Sequence, residues 1–382
     1  MDVELEHLYL LALQQGSGKG HADRIVAADH FLHAVRIAGR GSACRGSFRR
    51  MSDTAQPAPH DALAARLSDD MAAVNALIRE RMASEHAPRI PEVTAHLIGA
   101  GGKRLRPLLT LAAARLCGYD GPCHIHLAAT VEFIHTATLL HDDVVDDSDA
   151  RRGRPTANLL WDNPSSVLVG DYLFARSFQL MVETGSLRVL GILSNAAATI
   201  AEGEVLQLTA AHNLATDEGI YTRVIRGKTA ALFSAATEVG GVIADAPEER
   251  VQALFAYGDA IGMAFQVVDD VLDYGGVSGM LGKNVGDDFR EGKLTLPVIR
   301  AVAAADADER AFWSRVIEKR DQREGDLDRA LALMARHGAL EGARDVAQAH
   351  IAAARAALTR LPAGDLRDML DELAGFVVAR VT

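Results

Sequence analysis

Two stretches far apart in this chain carry aspartates in one repeated spacing, and each closes an apolar run. The first, His135 to Asn158, reads HTATLLHDDVVDDSDARRGRPTAN. It packs Asp142, Asp143, Asp146, Asp147 and Asp149 into eight positions, with Arg151 and Arg152 directly behind. The second, residues 265–274, reads FQVVDDVLDY and holds Asp269, Asp270 and Asp273. On a helix, Asp142 and Asp146 stand one turn apart on a common face. Like charges so placed repel, so an apolar helix that ends in them calls for a cation. Mg²⁺ suits the place: it takes oxygen ligands, keeps several waters, and shares itself between one or two carboxylates and a phosphate. Taken singly, either cluster could be a solvated acidic helix end. Two matching triplets, 269 − 142 = 127 residues apart, read instead as facing walls of one metal site.

The apolar runs leading into these clusters also set the fold class. Hydrophobic residues make up 49% of the 382 and aromatics only 5%, with abundant alanine and no alternating strand pattern. That composition favours helices. Periodicity predicts them over 62–85, 92–98, 107–117, 123–142, 165–184, 187–210, 217–239, 247–274, 293–304, 309–319, 326–337, 340–360 and 363–380. No repeat or low-complexity linker divides 51–382, which reads as one all-helical (all-α) domain around a cavity. Residues 1–50 differ. Arg36 to Arg50 holds five arginines and no acid, and Met51 offers a second start. They are expected to be a disordered extension or an over-extended reading frame. The net charge of −11 argues against nucleic acid as partner. Three cysteines in no ligand spacing suit a reducing cytoplasm. No uninterrupted apolar run reaches the roughly 18 residues of a bilayer span. The expectation is a soluble cytoplasmic chain that touches a membrane surface only in passing, to release an apolar product.

Cationic motifs accompany the acidic ones. Gly101-Gly102-Lys103-Arg104-Leu105-Arg106-Pro107 is a glycine pair, three cations and a helix start. Such a start is an anion site, or a basic loop that merely caps a helix. Arg106 offers a planar fork for phosphate oxygens, Lys103 a point charge. Arg151 and Arg152 either neutralise the first cluster or join it in binding. Gly227-Lys228-Thr229 lies inside a helical stretch, where glycine costs about 1 kcal/mol relative to alanine. That points to a kink or a close approach. The motif lacks the upstream glycine and the strand of a P-loop. Gly282-Lys283-Asn284-Val285-Gly286-Asp287-Asp288 reads as a loop over phosphates, or as an ordinary surface loop. Two acidic walls and cations from four places around an apolar interior describe an enzyme for a diphosphate whose other end is hydrocarbon.

The motifs GGKRLRP, EFIHTATLLHDDVVDDSDARRG, AEGEVLQL, GKTA, FQVVDDVLDY and GKNVGDDFREGKLTLP, in this order, resemble those of the trans-isoprenyl diphosphate synthases, or polyprenyl synthetases. The likeness covers about 90–382 and is nearest to the bacterial long-chain branch, the octaprenyl and decaprenyl diphosphate synthases. It implies the isoprenoid synthase helical bundle, a homodimer, Mg²⁺, and head-to-tail condensation of isopentenyl diphosphate onto an allylic diphosphate (farnesyl or geranylgeranyl) for quinone side chains. It implies metal ligands at Asp142 and Asp146 on one wall and at Asp269 and Asp270 on the other, with Asp143 and Asp273 in the catalytic set. Lys103, Arg106, His135 and Arg152 resemble isopentenyl diphosphate contacts. Arg151, Lys228, Thr229, Gln266 and Lys283 resemble contacts to the allylic diphosphate.

Stepping back from Asp142 by helical turns, the same face carries Thr138, His135, Ile134 and Val131. Thr138 and, by the resemblance, Ala137 are where bulk would stop chain growth. Both are small, which predicts a long product, although close helix packing also favours small residues. Three alternatives stand beside this reading: a geranylgeranyl diphosphate synthase, a class I terpene cyclase and a silent regulatory subunit. A cyclase needs no second diphosphate site, so Lys103, Arg106 and His135 speak against it. A silent subunit should have lost aspartates, and both triplets are whole.

Overall fold

The computed structural model describes residues 58–382 except 100, 101, 152, 276–284, 380 and 382. The expectations for residues 1–50, Arg152 and Lys283 therefore lie outside the described residues. The chain opens with α1 (Pro59–Arg66) and α2 (Ser68–Met82), where periodicity had predicted a single helix over 62–85. The break falls at Leu67, whose backbone (φ −112°, ψ 23°) leaves the helical region while its side chain stays in the core. There follow α3 (Arg89–Gly99), α4 (Leu105–Leu116) and α5 (Cys123–Val145). A two-residue antiparallel ladder comes next, β1 (Ala150–Arg151) with β2 (Arg154–Pro155), which the strand pattern did not foretell. Then come α6 (Ala157–Leu160), α7 (Asn163–Glu183), α8 (Leu187–Ala210) and α9 (Glu218–Ile225). A π-turn, Arg226–Ala230, joins α9 to α10 (Ala231–Ile243), so the predicted helix over 217–239 is real but widened there by a π-bulge. The rest is α11 (Glu248–Gly275), α12 (Asp287–Glu291), α13 (Leu296–Ala304), α14 (Ala307–Trp313), α15 (Asp326–Arg336), α16 (Ala339–Leu358) and α17 (Asp365–Ala379).

Side-chain caps fix several starts. Asp162 accepts from Ser165 N–H (2.6 Å) before α7, Asp217 from Ile220 N–H (2.8 Å) before α9, and Asp306 and Glu309 close a capping box on α14. The core is built round α11, which packs between α10 and α16, while α5 packs on α7 and α4 on α10. Tyr257, fully buried on α11, donates to Leu370 C=O (2.8 Å) and ties α17 to the centre. A separate apolar cluster joins α5, α8 and α10 through Val131, Ile134, Leu193, Ala196, Leu232 and Ala235. It lies along the α5 face that leads away from Asp142.

Among the described residues two helices, α8 and α11, are long and apolar enough by composition to cross a bilayer. This tempers the expectation from unbroken apolar runs. α11 is mostly buried, as the central helix of a bundle must be. α8 is one-third buried and turns an apolar face outward, with Leu187 84%, Val205 62% and Leu208 58% exposed.

Candidate active site

The first aspartate cluster forms where α5 runs out of apolar sequence. Asp142 is half-buried in its last turn. Burial pushes its carboxyl up to about 7, Glu204 and Asp146 adding to the effect and Lys228 and Arg151 opposing it. Asp143 is fully buried and takes the Arg151 guanidinium on Oδ1 (Nη2 2.7 Å, Nε 2.8 Å). The β1–β2 ladder pairs Arg151 with Arg154 and so holds Arg151 at that carboxylate. Asp146 caps α5 and faces the Lys293 ammonium at 4.0 Å.

The second cluster ends α11. Asp270 is buried and hydrogen-bonded on both oxygens, from Tyr221 O–H (2.6 Å) and from Gln266 Nε2 (2.8 Å). Gln266 in turn accepts from Thr229 Oγ1 (2.9 Å). Burial, and after it the charge of Asp288, hold the Asp270 carboxyl well above the usual range. Asp273 accepts from the Asp288 backbone N–H (3.2 Å), and its C=O from Gly286 N–H (2.9 Å), so the chain folds back over this wall. Asp269 is half-buried beside it.

Lys293 connects the two walls. Burial alone would lower its ammonium, but Glu291, Asp146 and Asp288 together raise it. Glu291 binds it directly. The basic wall stands at the start of α4. Arg106 lies 4.4 Å over the Phe233 ring and reaches His135 Nε2 (3.3 Å), Lys103 lies 5.4 Å from the Phe376 ring, and Arg104 pairs with Glu132. Lys228, in the π-turn, pairs with Glu204 of α8 (3.0 Å). Ala137 is fully buried and Thr138 half-buried, its hydroxyl donating to His135 C=O (2.9 Å).

Among the described residues no three ligating side chains converge on one point. The donors nonetheless fit a hard divalent ion. They are all carboxylate oxygens, they come as one or two from each wall, and Asp142, whose charged form is disfavoured first by burial and then by Glu204 and Asp146, would be relieved by a cation. The remaining ligand positions fall to phosphate and water.

Residues 87–334, which span both walls and the basic wall, match the family model described as Polyprenyl synthetase. The chain belongs to the polyprenyl synthetase family. It is similar to the octaprenyl diphosphate synthase of Escherichia coli (strain K12), 45% identical over 313 residues, which are 82% of this chain and 96% of that one. Among solved structures it is similar to a decaprenyl diphosphate synthase from Rhodobacter capsulatus (75% identity, TM-score 0.83), covering 85% of this chain and 100% of that one. It is also similar to a polyprenyl synthase from Caulobacter crescentus CB15 complexed with calcium and isoprenyl diphosphate. There the identity is 52% and the TM-score 0.81, covering 85% of this chain and 98% of that one.

In this polyprenyl synthetase, a prenyltransferase, four residues of the site went without a role in the sequence reading: Tyr221, Glu204, Asp288 and Lys293. Glu204, Asp288 and Lys293 sit within the motifs above, and the pairing of Glu204 with Lys228 and of Lys293 with Asp146 could have been suspected from charge alone. Tyr221 has no such signal, because only the fold brings it to Asp270, 49 residues on. The glycine in GKT is explained by both readings offered for it. A Cβ on Gly227 would stand 2.8 Å from Gly203 Cα, and one on Gly203 2.8 Å from Lys228 N. The backbones of α8 and the π-turn touch. Gly227→Ala is expected to force these helices apart, to lower Tm by several degrees, and to cut turnover more than stability by displacing Lys228 and Thr229. Thermal melts and steady-state rates on the same preparation check it; an unchanged Tm would mean the contact yields freely.

Proposed function

We propose that the chain is a long-chain all-trans polyprenyl diphosphate synthase that condenses isopentenyl diphosphate head-to-tail onto farnesyl or geranylgeranyl diphosphate. The observation that carries this is the Asp146–Lys293–Asp288–Asp273 path between two acidic walls, with the Lys228 charge acting on Asp142 and Arg106 reaching His135 of the same helix. Octaprenyl and decaprenyl synthases among the relatives support the long product. Asp142 and Asp146, with Asp269 and Asp270, would hold Mg²⁺, which when bound acts as a Lewis acid on the diphosphate oxygens. Arg151, Lys228 and Lys293 take up charge on the leaving diphosphate. Thr229 and Gln266, oriented through Asp270 and Tyr221, turn oxygen dipoles toward the allylic carbon as positive charge develops there. Lys103, Arg106 and His135, with Arg152, hold isopentenyl diphosphate so that its double bond attacks, and the departed diphosphate takes the proton.

Turnover of the lone chain with isopentenyl and farnesyl diphosphate, with chromatography of the extracted products, tests this reading. A cyclised hydrocarbon or no product at all would overturn it. Metal binding should also be linked to protons. Burial raises the Asp142 carboxyl from 3.8 to about 7, so the metal-free protein holds a proton there that the unfolded chain has lost. That contribution to stability is present at low pH and lost as pH rises from about 4 to 7. Metal must displace the proton, so affinity should climb about tenfold per unit up to pH 7 and then level off. Titration calorimetry in buffers of different ionisation enthalpy should show proton release at pH 6 and little at pH 8; equal release at both would remove Asp142 from the ligand set.

The outward apolar faces of α7 (Leu168, Val182) and α8 (Leu187, Val205, Leu208) support a homodimer as the working form. A cytoplasmic location, transient membrane-surface contact and supply of quinone side chains complete the proposal.

A further inference from the structure

Glu132 is the one acid in the apolar run before the first aspartate cluster, and nothing in the reaction described so far uses it. It lies three residues before His135, on the same face of α5. The start of α4 is laid against that face at two points: Arg104 pairs with Glu132, and Arg106 reaches His135. The Arg104–Glu132 pair is largely withdrawn from solvent, the two side chains being 16% and 12% exposed. Arg104 is also one of the few described residues other than glycine with a left-handed backbone (φ 46°, ψ 36°), and it stands directly before the first residue of α4. For an arginine that conformation costs energy, which its surroundings must offset.

The turn at Arg104 decides how Lys103 stands relative to Arg106. Lys103 belongs to the incoming loop and Arg106 to the first turn of α4. An extended or right-handed residue between them would send the loop, and the Lys103 ammonium with it, in another direction. Within the motif Arg104 pairs with Glu132, Arg106 lies over Phe233 and reaches His135, and Lys103 lies near Phe376.

We propose that Glu132 is a positioning residue for isopentenyl diphosphate: its ion pair pins Arg104 in the left-handed turn that aims Lys103 and Arg106 at one diphosphate. This rests on the assignment of Lys103 and Arg106 to isopentenyl diphosphate made above. It separates the binding of the two substrates, because the Arg104–Glu132 pair sets the loop that carries Lys103 and Arg106, whereas Lys228 is carried by the π-turn and pairs with Glu204.

The test is steady-state kinetics of the full chain with Mg²⁺, varying each substrate in turn. Glu132→Gln keeps the shape and removes the charge. It should raise KM for isopentenyl diphosphate about tenfold or more, as loss of one partner of a buried pair does, and leave KM for the allylic diphosphate within about twofold. Arg104→Asn should be milder, since Asn tolerates the left-handed conformation. Glu132→Gln should add little on top of it, the two changes breaking one interaction. Lys103→Ala is the control. If it raises KM for isopentenyl diphosphate and Glu132→Gln does not, the positioning role is wrong and the site assignment stands. If Lys103→Ala also changes nothing, the assignment itself fails and takes the proposal with it. Equal loss for both substrates together with a lowered Tm in Glu132→Gln would reduce the pair to a structural staple and overturn the proposal, unless Glu132→Asp, which restores the charge, recovers isopentenyl diphosphate KM alone.

Discussion

Asp142→Ala and Asp269→Ala are each expected to cut turnover by about 10² or more at saturating Mg²⁺, with the fold intact. Asp142 lies in the last turn of α5 and Asp269 within the last two turns of a different helix, α11, so the two changes strip opposite walls. Neither carboxyl anchors the core, so melting should move little. Asp142→Ala should even stabilise the metal-free protein slightly near neutral pH, because it removes a carboxyl that burial disfavours in its charged form. Rates and melts of the two variants with and without Mg²⁺ decide the matter. Activity within a few-fold of the parent for either one would end the two-walled site.

Thr138→Phe is expected to shorten the product while early condensations stay fast. Thr138 is half-buried on the face of α5 below Asp142, above the apolar cluster that α8 and α10 build from Ala196, Ala235 and Ala236. Small residues on facing helices leave room for a chain to pass between them, and a phenyl ring at Thr138 would close it. Ala137 behaves differently. It is fully buried within the main core, so Ala137→Phe should cost about 1–3 kcal/mol by overpacking before it says anything about product length. The length distribution of products from isopentenyl and farnesyl diphosphate separates the two. Product of parental length from a folded Thr138→Phe variant would mean that growth follows another helix.

The all-helical architecture was legible because the helices here are long and their buried faces recur at helical spacing. The walls were legible because acids at the end of apolar runs are costly and therefore informative. Three things escaped. The break at Leu67 was hidden because its side chain keeps the apolar rhythm while its backbone abandons it. The ladder at Ala150–Pro155 is too short for any alternation to register. The hydrogen bond from Tyr221 to Asp270 joins positions with no shared pattern, and the left-handed turn at Arg104 falls on a residue type that rarely adopts it. A one-dimensional reading finds charges that stand together in sequence; it finds partners across the fold only where each partner is odd in its own neighbourhood.

The Lys293 to Asp146 contact spans 293 − 146 = 147 residues, and that separation bears on how the enzyme comes into being. Contacts so remote form late, since a long loop must close before any of their free energy is recovered. On the ribosome the first wall emerges, with its half-buried Asp142 and buried Asp143, long before the segment that supplies Tyr221, Lys228 and Lys293 has been made. A nascent chain thus holds an acid-tipped apolar helix without most of its counter-charges, and α5 cannot settle into its final burial until they arrive. Diphosphate cleavage is then not a property that grows as the bundle grows; it arrives in one step, when the last third of the chain closes over the first wall.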